Sequence, residues 1–179
     1  QSEALVMSDQ VAVMNAGRFE QVGAPQDLYY GPRTAFVAGF VGDSNRWRGR
    51  VVDRDASCLK VETDTGTLLL CATVGADHLS AGAKVELFVR PESIAIHGPG
   101  AIAASGAGMR NEQTGVLGDL LFNGANSRAL VRTDKGEVIA VALPQTGAAR
   151  QLREGAALTL SFAAEQCLCF AAHSSMKDT

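Results

Sequence analysis

The strongest constraint on this chain is that its larger part repeats itself. Gly49-Arg50-Val51-Val52-Asp53, Leu59-Lys60-Val61-Glu62-Thr63 and the turn Asp64-Thr65-Gly66 are echoed by Gly115-Val116-Leu117-Gly118-Asp119, Leu130-Val131-Arg132-Thr133 and Asp134-Lys135-Gly136. The two Asp-x-Gly turns lie 70 residues apart. Leu79–Leu87 then matches Leu152–Leu160, and Glu92 matches Glu165, both at an offset of 73 residues. Short alternating apolar runs between such turns are the pattern of half-buried strands. Each copy, 46–98 and 113–173, supplies about four strands, too few to close a barrel and enough to leave exposed edges. The copies are therefore expected to pair their strands with one another, in one or two small barrels. A Gly/Ala/Ser stretch from Gly98 to about Asn111 divides them.

The first 45 residues read differently. Val11-Ala12-Val13-Met14 and Arg18-Phe19-Glu20-Gln21-Val22, joined by Asn15-Ala16-Gly17, predict a tight hairpin. In Ala24–Pro32, Pro25 sits just inside the start and Gly31-Pro32 just past the end of a short helix. Thr34 is placed to cap a second helix whose Phe36, Val37, Phe40 and Val41 form one apolar stripe. The expected organisation is an α/β stub at 1–45 followed by a mainly β region at 46–179, with an oligonucleotide/oligosaccharide-binding-like (OB-like) barrel as its architecture.

Composition narrows the function classes. The chain has 179 residues, 46% of them hydrophobic, enough to bury a core. Sixteen Lys and Arg against 19 Asp and Glu give a net charge of −3, which disfavours a protein that works by neutralising phosphates. No apolar run reaches the roughly 20 residues of a membrane-spanning helix. The sequence opens at Gln1 with no basic segment and apolar run behind it, so no signal peptide is expected and the chain is expected to be a piece of a longer protein. Cys58, Cys71, Cys167 and Cys169 are too irregular for a disulfide scaffold, and His78, His97 and His173 complete no zinc spacing. No metal site is expected; reduced cysteines acting as small hydrophobes are.

Two motifs carry chemical interest. Arg46-Trp47-Arg48-Gly49-Arg50 interleaves cations with a ring, as a nucleic-acid groove does. Strand alternation instead sends Trp47 and Gly49 to one face and the arginines to the other, a solvated face over a packed Trp. Arg90-Pro91-Glu92 ends the apolar run Val85–Val89 and offers a guanidinium and a carboxylate, together with Ser93, to a ligand or an interface. The structural reading is an edge-ending corner with a local ion pair. Ser93, Thr114 and Ser127 are hydroxyls available to a small-ligand or oxyanion-binding barrel, the main alternative function; a nucleic-acid-binding barrel is disfavoured by charge. There is no GxxxxGK[ST] loop and no nucleophile, base or paired-carboxylate spacing, so no catalytic and no cofactor-binding residue is assigned.

Gln1-Ser2-Glu3-Ala4, Ser8–Met14, Gly17-Arg18, Gln21-Val22-Gly23-Ala24-Pro25 and Phe40-Val41-Gly42 together resemble the tail of an ATP-binding cassette (ABC) ATPase domain of the carbohydrate and polyamine importer group. The remainder resembles the transport-associated OB (TOBE) domain that follows it, through Phe88-Val89-Arg90-Pro91-Glu92. Asp119-Leu120-Leu121-Phe122-Asn123-Gly124 resembles the Asp-x-x-Phe-x-Gly of polyamine-type members, which makes Phe122 and Asn123 further candidates for a ligand or interface. The resemblance implies a parent subunit that binds ATP and Mg, works at the inner face of the cell membrane with permease subunits, and pairs with a second copy of itself. The family's phosphate loop, signature, catalytic glutamate and switch histidine precede the matched segment, so the chain as given is expected not to be an ATPase. It is expected to be an accessory, regulatory and dimerisation domain. Leaving the four stripe residues wet would forfeit roughly 6–12 kcal/mol, which makes Phe36 and Phe40 candidates for self-association.

Overall fold

The computed structural model describes residues 8–73, 78–98, 108–122, 127–143 and 152–172. A hairpin of β1 (Val11–Asn15) and β2 (Arg18–Gly23) opens the described chain, followed by two one-and-a-half-turn helices, α1 (Pro25–Tyr30) and α2 (Ala35–Phe40). The first copy then supplies β3 (Asn45–Arg54), β4 (Cys58–Thr63), β5 (Leu68–Ala72), β6 (Lys84–Val89), a 3-10 turn at Pro91–Ser93 and β7 (Ala95–His97). The second supplies β8 (Arg110–Leu121), β9 (Arg128–Thr133), β10 (Val138–Ala142), β11 (Ala157–Ala163), a 3-10 turn at Ala164–Gln166 and β12 (Leu168–Ala171).

These strands form two five-stranded antiparallel sheets, β12-β6-β3-β4-β5 and β10-β9-β8-β11-β7. Each copy keeps its first four strands and gives its last to the other sheet. The short β7 pairs with β11 through Ala95–His97, and β12 pairs with β6 through Leu168–Ala171. The result is mainly β, two curled half-barrels built from two similar units, as the repeat predicted. A single apolar core runs through both, including Val51, Leu87, Leu117, Val131, Leu160 and Phe162.

Local details repeat with the units. β3 shifts register between Val51 and Asp53 and β8 between Leu117 and Asp119, a bulge at the same place in each copy. Just before the bulges, a Cβ on Gly49 would sit 2.4 Å from the Glu62 carbonyl oxygen, and one on Gly115 2.6 Å from that of Arg132. Only glycine lets these strands cross so closely. The Asn45 side chain donates to the Ala140 carbonyl (2.8 Å) and accepts from the Ala140 amide (2.8 Å). Its counterpart Asn111 does the same to Leu70, at 2.9 and 2.7 Å. Each asparagine thereby acts as one residue of an extra strand against the other copy's outer hairpin, and satisfies backbone groups that the sheet leaves open.

The stub has its own small core of Val13, Leu28, Val37 and Val41. Thr34 caps α2 by accepting from the Val37 amide at 3.2 Å. The predicted stripe is split: Val37 and Val41 are buried, whereas Phe36 is half-buried and Phe40 is 43% exposed, their rings stacked with centroids 5.7 Å apart. A helix of six residues is too short to keep four positions on one buried face. Ala35 and Ala38 pack on Phe88 of β6, which seats the stub on the first half-barrel.

Candidate functional site

Trp47 is buried and stacks at 6.5 Å on Phe162 of the other copy, while Arg46, Arg48 and Arg50 are exposed on the opposite face. Arg46 is paired with Glu86 at 2.7 Å, Arg48 approaches the same carboxylate at 3.5 Å, and Arg50 donates to the Gly82 carbonyl. The arginine row, Lys84, Glu62, Asp64 and the Phe36–Phe40 stack line a groove of about 910 Å³ between stub and sheet. Three acidic side chains, Glu62, Asp64 and Glu86, stand among its four basic ones and offset most of their charge, which disfavours a polyanion.

Arg90 has a different setting. At the end of β6 it is 8% exposed, and its guanidinium leaves the β-unit for the stub. It donates to Ser44 Oγ (2.7 Å), the Asp43 carbonyl (3.1 Å) and the Tyr29 carbonyl (3.3 Å), and lies over the Tyr29 ring at 4.3 Å. Tyr29 donates its hydroxyl to Glu92. Arg90 and Glu92 thus grip one ring from two sides, where the sequence suggested a local ion pair between them; Pro91, by ending β6, turns the two side chains toward the stub. Burial, and then the bond to Glu92, push the Tyr29 pKa up to about 12, and burial lowers that of Arg90. Gly42, at φ +72°, completes the clamp, since a Cβ there would lie 2.6 Å from the Tyr29 ring. Tyr29 and Gly42 are the participants that sequence reasoning missed; the X-Gly-Pro helix stop hid the ring's role.

The remaining candidates do not converge. Ser93 is half-buried in the 3-10 turn, with its amide bonded to the Arg90 carbonyl. Thr114 is exposed and donates to Asp134, and Ser127 is buried before β9. Phe122 is 88% exposed at the end of β8; Asn123 and His173 lie outside the described residues. At the junction of the copies a different set of hydroxyls meets, those of Thr63, Thr65 and Thr67, and all three donate to the Glu137 carboxylate. Among the described residues no group of metal-ligating side chains comes together, and no helix is long and apolar enough to cross a membrane.

Residues 87–170 match the TOBE domain family. The spermidine/putrescine import ATP-binding protein PotA of Trichormus variabilis is 34% identical over 148 residues, 82% of this chain and 37% of that protein. The protein of the same name from Frankia alni is 48% identical over 101 residues, 52% of this chain and 22% of that protein. An uncharacterised ABC transporter ATP-binding protein of Escherichia coli, YdcT, is 36% identical, over 79% of this chain and 32% of its own length. The chain therefore spans well under half the length of these relatives. Among solved structures, the cytoplasmic molybdate-binding protein ModG with molybdate bound superposes with a TM-score of 0.60 at 17% identity, covering 72% of this chain and 96% of ModG, a likeness of fold. This chain thus carries a TOBE domain match at residues 87–170 and, over most of its length, is similar to a part of polyamine-import and ABC-transporter ATP-binding proteins.

Proposed function

We propose that this chain is the accessory domain through which an ABC-importer ATP-binding subunit, of polyamine type, is paired and regulated. The observation that carries this reading is the Arg90–Tyr29–Glu92 clamp. A two-copy β-unit fastened by a buried guanidinium to the ATPase-like stub turns with that stub as one body, so a partner or ligand on the β-unit would act on whatever the stub is attached to. ATP and Mg are assigned to the parent protein rather than to this chain, whose sequence has no phosphate loop. Permease subunits and a second copy are the proposed partners, at the inner face of the membrane.

Sedimentation at tens of micromolar tests the pairing. A dimer is expected, weakened by Phe36→Asp with Phe40→Asp if the exposed ring stack forms the contact; a monomer overturns the pairing. Saturable binding of a fluorescent ATP analogue at micromolar affinity would overturn the assignment of nucleotide to the parent. The oxyanion alternative, which the ModG likeness raises, is not favoured. The hydroxyls that meet at the copy junction already serve an internal anion, Glu137.

A further inference from the structure

β5 and β12 are the opposite edges of one five-stranded sheet, and its curl brings them into contact. Sulfur lines that seam. Cys71 on β5 has its Sγ 3.2 Å from the Sγ of Cys167, which ends the second 3-10 turn, and Cys169 on β12 also touches Cys71. All of these thiols are free and buried.

The repeat supplies an internal control for what the seam needs. In the other half-barrel the matching positions are Val141, Ile94 and Ile96, so aliphatic side chains close the same joint without sulfur. Packing alone therefore does not account for three thiols meeting at one seam and none at the other. We propose that Cys71 and Cys167 are an intramolecular disulfide site, a redox staple joining the first copy to the second.

The chemistry balances with a small-molecule disulfide as oxidant. The Cys167 thiolate attacks the oxidant's sulfur–sulfur bond and expels one thiolate; the Cys71 thiolate then attacks the Cys167 sulfur of the mixed disulfide and expels the second. Two protein thiols lose two electrons and two protons, and the oxidant becomes two thiols. The sulfurs need close by only ~1 Å to reach bonding distance. Access limits the rate. Contact with Cys167 and burial hold the Cys71 thiol far above its ordinary pKa, as contact with Cys71 and burial do for Cys169. Reaction thus waits for β12, a four-residue edge strand, to open.

The full chain incubated with oxidised glutathione is expected to lose 2 mass units (~2 Da, two hydrogens). Non-reducing peptide mapping should join the Cys71 and Cys167 peptides, and Tm should rise on the order of 10 °C, reversibly with dithiothreitol. Cys71→Val and Cys167→Ile, which copy the other half-barrel, should fold and lose the shift, and Cys58→Ala should keep it. A chain that stays fully reduced, stops at a glutathione adduct, pairs Cys71 with Cys169 or melts lower when oxidised would overturn the proposal; the peptide map of the unsubstituted chain decides this even if a variant fails to fold.

Discussion

The two half-barrels share a plan and differ in what is attached to it. At the end of β6 the first has Arg90, Pro91 and Glu92, and the stub is clamped there; at the end of β11 the second has Ala163, Ala164 and Glu165, and Gln166 simply accepts from the Ala163 amide. In the core the first copy has Trp47 where the second has Gln113, whose side-chain oxygen and nitrogen are both buried with no partner among the described residues. The shared plan holds the fold, through bulges, close-crossing glycines and the asparagine pair. The differences lie where the stub is attached to one half and not to the other.

The sharpest way to break the comparison is to remove the exchanged strand. Deleting residues 147–179 takes β11 and β12 away together, so β6 loses a partner and β7 the strand that joins it to its sheet. Loss of the cooperative thermal transition from both halves is expected; a cooperative transition in residues 46–98 alone would show that they are independent. Trp47→Gln, which makes the first core like the second, should cost about 3–5 kcal/mol in denaturant unfolding. Asn45→Ala and Asn111→Ala should each cost about 1–2 kcal/mol, since each leaves a half-buried amide and carbonyl unpaired. Equal losses would show that the two-fold plan is energetic as well as geometric. Arg90→Ala should cost about 1–2 kcal/mol and act on one side only, speeding proteolysis of the stub while β3–β12 stay protected. The smallest effect is a gain: Gln113→Leu should stabilise by about 1 kcal/mol by removing two orphaned polar atoms.

The repeat, the hairpin and the inward face of Trp47 could be read in the sequence because period-two patterns and Asp-x-Gly turns are local signals. The strand exchange could not be assigned to particular strands. β7 has three residues and β12 four, too few for a pattern, and their partners are chosen by curvature that only the assembled sheets possess. The clamp was half legible. Arg90 and Glu92 stand out as polar groups at a strand end, but their common target, Tyr29, lies 61 residues from Arg90 and is masked by its place in a short helix. The junction hydroxyls were missed for a similar reason: Thr63, Thr65 and Thr67 look like turn residues until Glu137 from the other copy arrives among them.

The exchanged strand also has a mechanical meaning. The stub leads directly into β3, β3 pairs with β6, and β6 pairs with β12, whereas every strand of the second half-barrel lies in the chain between β6 and β12. A load applied between the stub and the residues after Ala171 runs through three adjacent strands of a single sheet. β3 and β12 both run antiparallel to the β6 between them, so the pull loads their hydrogen bonds in shear, many at once, rather than unzipping them singly. The second half-barrel hangs beside that path as a side loop bearing little of the force.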